Sequence, residues 1–197
     1  LWIGSEGPLG VVTEAVLRLV GKPVAQKTFL AAFRSDKDAL RAPIELSRIG
    51  IRPSILEFLD RWTVECVQSF TGKEVFHGIS PHPVLLIELD GDPSLIEKES
   101  LQLINWLKES ALCHEVACTQ EEAEELWDVR RKGSPAMKKL ANTKLNEDVV
   151  VPLVEQVNLV ECVDQLRQQF KLKVGVFGHC GDGNLHVNFM SDHEDEA

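Results

Sequence analysis

The stretch Gly178-His179-Cys180-Gly181-Asp182-Gly183-Asn184-Leu185-His186-Val187-Asn188 decides how this chain is read. Two β-like runs, 173–179 and 184–190, flank an Asp182-Gly183 pair, the strongest short signal for a tight type I′ hairpin. Such a turn sets His179 across from His186, and Phe177 across from Asn188, on one side of the ribbon. Val176, Cys180, Leu185, Val187 and Phe189 then line the other side, an apolar face ready for a core. Directly opposed strand residues have Cβ atoms about 4.5–5.5 Å apart, close enough for two imidazoles to share one ion. Two readings of the histidines stay open at this point. They are metal ligands or acid–base groups, or they are ordinary histidines satisfied within a sheet. Two ligands alone do not complete a zinc site, which takes three or four.

Outward from the hairpin, the pattern alternates strands with helices. Residues 26–33, 54–60, 84–89, 114–118 and 146–151 read as strands or extended runs, and 11–20 reads as a strand ahead of a break at 21–23. Ser35 caps a helix reaching about Arg48, and 61–70, 94–111 and 155–170 read as further helices. Thr119 and Glu122 make a capping box for a helix that runs past Trp127 and Arg130 until Gly133-Ser134-Pro135 disturbs it. Trp127 reads as a core residue. Strand–helix–strand units around an antiparallel hairpin predict an α+β fold, an antiparallel sheet with helices packed on one face. The acidic tail 192–197 reads as frayed.

Composition narrows the function. The 197 residues are 44% hydrophobic, enough to bury one domain core, and carry a formal net charge of −10. That charge argues against nucleic acid, whose phosphates need basic patches. No apolar run approaches the roughly 18 residues of a spanning helix, and no secretory signal is read. Five cysteines without a CxxC pair fit reduced thiols of a cytoplasmic protein. Organellar targeting and association with an inner membrane face through a partner remain compatible with the sequence. Cys180, beside His179 but on the apolar face, reads as core.

Three segments in order resemble the FAD-linked oxidases of the vanillyl-alcohol oxidase type, which include glycolate oxidase flavin subunits, D-lactate dehydrogenases and D-2-hydroxyglutarate dehydrogenases. They are Gly4-Ser5-Glu6-Gly7-Pro8-Leu9-Gly10-Val11-Val12-Thr13-Glu14, then Leu126-Trp127-Asp128-Val129-Arg130 with Glu147-Asp148-Val149-Val150-Val151-Pro152, then the GHCGDGNLH run of the hairpin. The resemblance implies a ferredoxin-like C-terminal substrate or cap domain over 22–197, preceded at 1–21 by the trailing segment of an FAD-binding domain. It implies an FAD-dependent 2-hydroxy-acid dehydrogenase or oxidase, of which this chain is an excised piece.

By the same resemblance, His179 and His186 match histidines that bind a divalent metal (zinc, manganese or iron) or act as acid and base. Asn188 matches a polar residue near them. Arg130 matches an arginine that pairs with the substrate carboxylate, and Ser134, one helical turn on, adds a hydroxyl on the same side. Ser5, Glu6, Gly7, Gly10 and Val12 match positions whose backbone lines the flavin. A small 2-hydroxy acid, an electron acceptor or partner subunit, and a homo-oligomeric state are the implied partners. Pro8 stands where the family has threonine, and Asn146 where some relatives have a substrate-binding lysine. The third metal ligand is expected in a Glu-His segment that this chain does not contain. The rival readings are a non-redox flavin enzyme on the same scaffold and a non-enzymatic metal-stabilised or oligomerisation module.

Overall fold

A computed structural model of the chain describes residues 2, 4–5 and 7–192. Its elements are β1 (Ala25–Ala32), α1 (Asp36–Leu40), α2 (Ala42–Arg48), β2 (Ile55–Leu59), α3 (Arg61–Thr71), β3 (Val84–Gly91) and α4 (Pro93–Ser110). There follow β4 (Cys113–Val116), α5 (Gln120–Lys138), β5 (Thr143–Val150), α6 (Gln156–Phe170), β6 (Lys173–His179) and β7 (Asn184–Ser191). The strands form one antiparallel sheet in the order β4-β1-β3-β2-β6-β7-β5. β1 and β2 flank β3, while β3 and β4 flank β1, which makes two interlocked split β-α-β units. The α+β class and the antiparallel sheet expected from the pattern are present.

The helices divide between the two faces. Side chains of α1, α2, α4 and α6 pack with Phe29, Phe58, Ile87, Val176 and Val187 on one face. Val64 of α3, with Leu126 and Met137 of α5, packs with Leu30, Leu59, Leu86 and Phe177 on the other. The single helical layer expected from the sequence is therefore replaced by cover on both sides. The cause lies in the interior strand β3: Val84-Leu85-Leu86-Ile87 is apolar at every position, so both faces must be shielded from water.

The hairpin departs from its expected register by two residues. His179 pairs with Asn184 and Phe177 with His186, leaving a four-residue loop from Cys180 to Gly183 rather than a two-residue turn. Tertiary bonds take the residues a tight turn would have used. Gly181 N donates to Leu56 O at 3.2 Å, and Cys180 O accepts from the buried Gln156 side chain at 2.9 Å. A shift of two preserves the side of every side chain, where a shift of one would have reversed them all. Phe177, His179, His186 and Asn188 thus still share a face, and Cys180 is fully buried on the other, where burial pushes its thiol well above the ordinary range.

Other expectations are corrected by packing. Residues 11–20 form no strand; Val16, Leu19 and Val20 are about nine-tenths exposed and have no ladder to join. The helix begun at Ser35 breaks at Arg41, because Pro43 in the first turn of α2 cannot donate to the preceding turn. Gly133-Ser134-Pro135, by contrast, does not end α5. Gly133 lies against Thr63 and Phe177, and that contact with α3 and β6 holds the helix through the proline. β5 starts at Thr143, earlier than expected, which adds Lys144 to the sheet. The predicted capping box of Thr119 and Glu122 is formed. Of the tail 192–197, residues 193–197 lie outside the described residues, as does Glu6. No helix among the described residues is long and apolar enough to cross a membrane.

Candidate functional site

The site lies where β2, β6, β7 and β5 run side by side under α5. The ladder sets Glu57 of β2 across from His179 of β6, Phe177 across from His186 of β7, and His186 across from Asp148 of β5. Each imidazole is tied to a carboxylate: His179 Nδ1 to Glu57 Oε1, and His186 Nδ1 to Asp148 Oδ1. An ionised carboxylate only accepts, so Nδ1 is the donor in both pairs and Nε2 is the ring atom turned away from the carboxylate. The rings stand edge to face with centroids 5.3 Å apart. The closeness expected from direct opposition survives as a diagonal contact.

Glu57 is the keystone that the sequence reading passed over. It is 5% exposed, and its second oxygen accepts from Arg130 Nε. Arg130 is one of the residues expected at the site, and α5 delivers it there with its guanidinium 4.6 Å from the centroid of the Phe177 ring. Lys144 approaches the same ring at 5.9 Å and donates to Ser134 Oγ at 2.9 Å, which brings Ser134 to the site as well. Two cations therefore gather around one aromatic ring, each within reach of its quadrupole. Burial, with a smaller contribution from Lys138, holds the Lys144 ammonium below the usual lysine range. Hydrogen bonds from His186 and Asn146 hold the Asp148 carboxyl below its ordinary value. Asn188 is fully buried in the same layer. Its amide donates to His186 O at 3.0 Å and Gly175 O at 3.3 Å, and its Oδ1 has no partner among the described residues.

A cleft of about 580 Å³ opens beside these groups, lined by Glu57, Arg130 and His179 with Trp127, Ile55 and the Gly181-Asp182 loop. Signals for the missed residues were present. Glu57 is a lone carboxylate inside the apolar run Ile55–Leu59, and Lys144, Asn146 and Asp148 alternate onto one face of β5.

The flavin-binding residues expected near the N-terminus are not brought to this cluster. Ser5, Gly7, Gly10 and Val12 lie in an irregular, largely exposed run, with Gly4, Gly7 and Gly10 at positive φ. Around Gly4 and Gly7 a Cβ would meet nothing within 4 Å, so the backbone there is open to a ligand. The metal fit is partial. Two imidazole Nε2 atoms are oriented by carboxylates in the manner of metal-bound histidines, yet the described residues contain no group of three His, Cys, Asp or Glu side chains able to hold an ion.

Comparison with known proteins agrees with this architecture. Glycolate oxidase subunit GlcD of Bacillus subtilis (strain 168) is 35% identical over 193 residues, covering 98% of this chain and 41% of the relative. The GlcD subunit of Escherichia coli (strain K12) is 31% identical over 98% of this chain and 38% of its own length. D-lactate dehydrogenase of Anaerostipes hadrus is 29% identical over the whole chain and 43% of its own length. The chain thus spans about two fifths of the relatives it matches. Among solved structures, an alkyldihydroxyacetonephosphate synthase superposes with a TM-score of 0.68 at 16% identity, covering 97% of this chain and 41% of its own. p-Cresol methylhydroxylase superposes at 0.62 and 12% identity, covering 86% and 39%. At such identities these two likenesses speak for the fold alone. Residues 22–197 match the family described as FAD linked oxidases, C-terminal domain, and the chain belongs to that family of FAD-linked oxidoreductases.

Proposed function

We propose that the protein to which this chain belongs is an FAD-dependent 2-hydroxy-acid dehydrogenase or oxidase of the glycolate or D-lactate type. Residues 22–197 would be its substrate-binding cap, and 1–21 the trailing part of its FAD-binding domain. The observation that carries this reading is the Glu57 carboxylate, which holds an imidazole by one oxygen and a guanidinium by the other at the edge of a cleft. The likeness to the glycolate oxidase GlcD subunit and to D-lactate dehydrogenase supports the substrate class.

The roles follow from which atoms remain free. Arg130 gives Nε to Glu57, which leaves the Nη atoms to fork onto the substrate carboxylate. Lys144 supplies a second positive charge beside Phe177, and Ser134, its hydrogen-bond partner, a hydroxyl. Both cations offset a chain whose overall charge of −10 repels anionic acids. His179 takes the proton of the 2-hydroxyl at Nε2, and Glu57 stabilises the imidazolium that forms. His186 and Asn188 border the same reacting centre. Bound flavin would accept the hydride from Cα and carry the redox chemistry. The backbone of Ser5, Glu6, Gly7, Gly10 and Val12 would contribute to holding it. His179 and His186 would also supply two donors to a divalent metal (zinc, manganese or iron), and no step above depends on one.

An electron acceptor or a partner subunit would re-oxidise the flavin. The five free thiols support a reducing compartment, the cytoplasm or an organelle interior. The test is an anaerobic titration of the full-length protein with glycolate, D-lactate and D-2-hydroxyglutarate while the visible flavin spectrum is recorded. Bleaching by one acid establishes class and substrate together. Bound flavin that none of them bleaches would refute the substrate class, and the absence of bound flavin would refute the redox reading.

A further inference from the structure

Trp127 stands between two cavities. One is the cleft of about 580 Å³ that holds Glu57, Arg130 and His179. The other, of about 350 Å³, lies on the same side of the sheet and reaches Thr28 and Glu88. Trp127 lines both, so its indole is a partition rather than a buried plug, and it is only partly buried accordingly. It sits three residues before Arg130 on α5, one turn of helix, so both side chains project toward the same stretch of sheet.

The partition is anchored from beneath. Trp127 Nε1 donates to Glu88 Oε2 at 3.1 Å, and Thr28 Oγ1 donates to the same oxygen at 3.1 Å. Glu88 is 3% exposed, on the strand next to that of Glu57 and on the same face. The other buried carboxylates of the sheet region have an arginine: Glu57 has Arg130, and Asp60 has Arg167. The hydrogen bonds Glu88 receives come from neutral groups. A buried acceptor of this strength, satisfied by an indole N–H, fixes the plane and height of the ring above the sheet. Beyond the ring lies the second cavity, space that a substrate would reach if the indole were absent.

We infer that Trp127 is the wall that limits the side chain a 2-hydroxy acid can carry into the cleft, with Glu88 as the residue that positions it. The inference rests on the function proposed above and deepens it. With the carboxylate on Arg130 and the 2-hydroxyl at His179, the substituent on Cα points along the cleft that the indole closes. Small acids fit; branched or aromatic ones meet the ring.

The test uses the full-length, flavin-loaded protein with 2-hydroxy acids whose side chains run from hydrogen and methyl to isobutyl and phenyl. The reading is the kcat/KM of each acid relative to glycolate, together with the Kd of the matching 2-oxo acid from flavin spectral titration. Trp127→Ala should raise the phenyl-to-hydrogen ratio at least tenfold and tighten the larger 2-oxo acids in the same order. Glu88→Leu should move the ratio the same way by about threefold or more, and Glu88→Gln, which keeps an acceptor for the indole, should leave it near wild type. If Trp127→Ala does not fold, Trp127→Phe and Glu88→Leu carry the comparison with the threefold threshold. An active wild type whose ratios stay within twofold in these variants overturns the wall. A flavin-loaded wild type that oxidises none of the acids overturns the proposed function, and the wall with it.

Discussion

Glu57 lies directly across the β2–β6 ladder from His179, and its carboxylate accepts from that ring while holding Arg130 with its other oxygen. Substrate binding and proton transfer therefore share one buried anion. Glu57→Gln keeps the volume but removes the charge that fixes the tautomer and stabilises an imidazolium. The expected result is a fall in kcat/KM of about 100-fold with flavin content unchanged, the size seen when a carboxylate behind a functional histidine is lost. Steady-state kinetics beside the flavin absorbance check it. A variant within threefold of wild type would show that the bridge is structural only.

The two cations over Phe177 should separate in a kinetic experiment. Lys144 has Ser134 as its hydrogen-bond partner and no carboxylate among the described residues within ion-pair range, so Lys144→Met removes a positive charge without stranding a buried anion. KM for the hydroxy acid should rise about tenfold, the loss of roughly 1.4 kcal/mol of binding, while kcat changes little. Arg130→Met leaves Glu57 buried without its cation, and should lower both kcat/KM and the melting temperature. Equal effects of the two substitutions on KM and on melting would contradict this division of roles.

The sequence was more informative about faces than about partners. Alternation put Phe177, His179, His186 and Asn188 on one side, and that survived a register error because a slip of two residues leaves parity intact. The turn itself was misread, since Asp182-Gly183 chemistry gave way to bonds from Gly181 to Leu56 and from Gln156 to Cys180, none of which is local. Glu57 and Lys144 were missed for the same reason. A lone carboxylate in an apolar run and an alternating polar face mark them locally, but their partners emerge only when strands distant in sequence are laid side by side, Glu57 and His179 being 122 residues apart. The FAD linkage was legible because its motifs are short and contiguous. A strand at 11–20 was expected from apolar composition alone, which cannot supply a neighbouring strand.

Gly183 offers a test of the loop that replaces the tight turn. Its φ is +86°, and an added Cβ would sit 2.1 Å from Val151 O, a backbone atom that cannot swing aside. Gly183→Ala should therefore destabilise by about 2–3 kcal/mol through backbone strain and the clash together. For a domain of this size that is a drop in melting temperature on the order of 4–12 °C. Gly175→Ala makes a useful contrast. Its nearest obstacle is the flexible end of Met137, which can rotate, so its melting temperature should fall less. A larger loss at Gly175 than at Gly183 would argue against the loop geometry.

Asp36 should impose a pH dependence on stability. Burial and the neighbouring Asp60 and Asp164 carboxylates push its pKa from 3.8 up to about 7, against the pull of the Arg61 N–H and of Arg167. Asp60, fully buried, already engages Arg167 and the backbone N–H groups of Thr63 and Val176, so the guanidinium has little left for Asp36. Because the folded value lies above the unfolded one, the folded state holds the proton longer. Stability is then greatest below pH 4, declines as pH rises from about 4 to about 7, and is level above that as far as this group is concerned. Asp36→Asn keeps an acceptor for the Arg61 N–H and removes the charge. Unscreened linkage would allow roughly 4 kcal/mol, and solvent screening and residual attraction to Arg167 reduce it to about 1–2 kcal/mol. Urea midpoints for the variant and wild type at pH 4.5, 6.0 and 7.5 should diverge with rising pH, the variant being the more stable. Midpoints that keep a constant separation across that range would mean that Asp36 is ionised throughout and that Arg167 compensates both buried carboxylates.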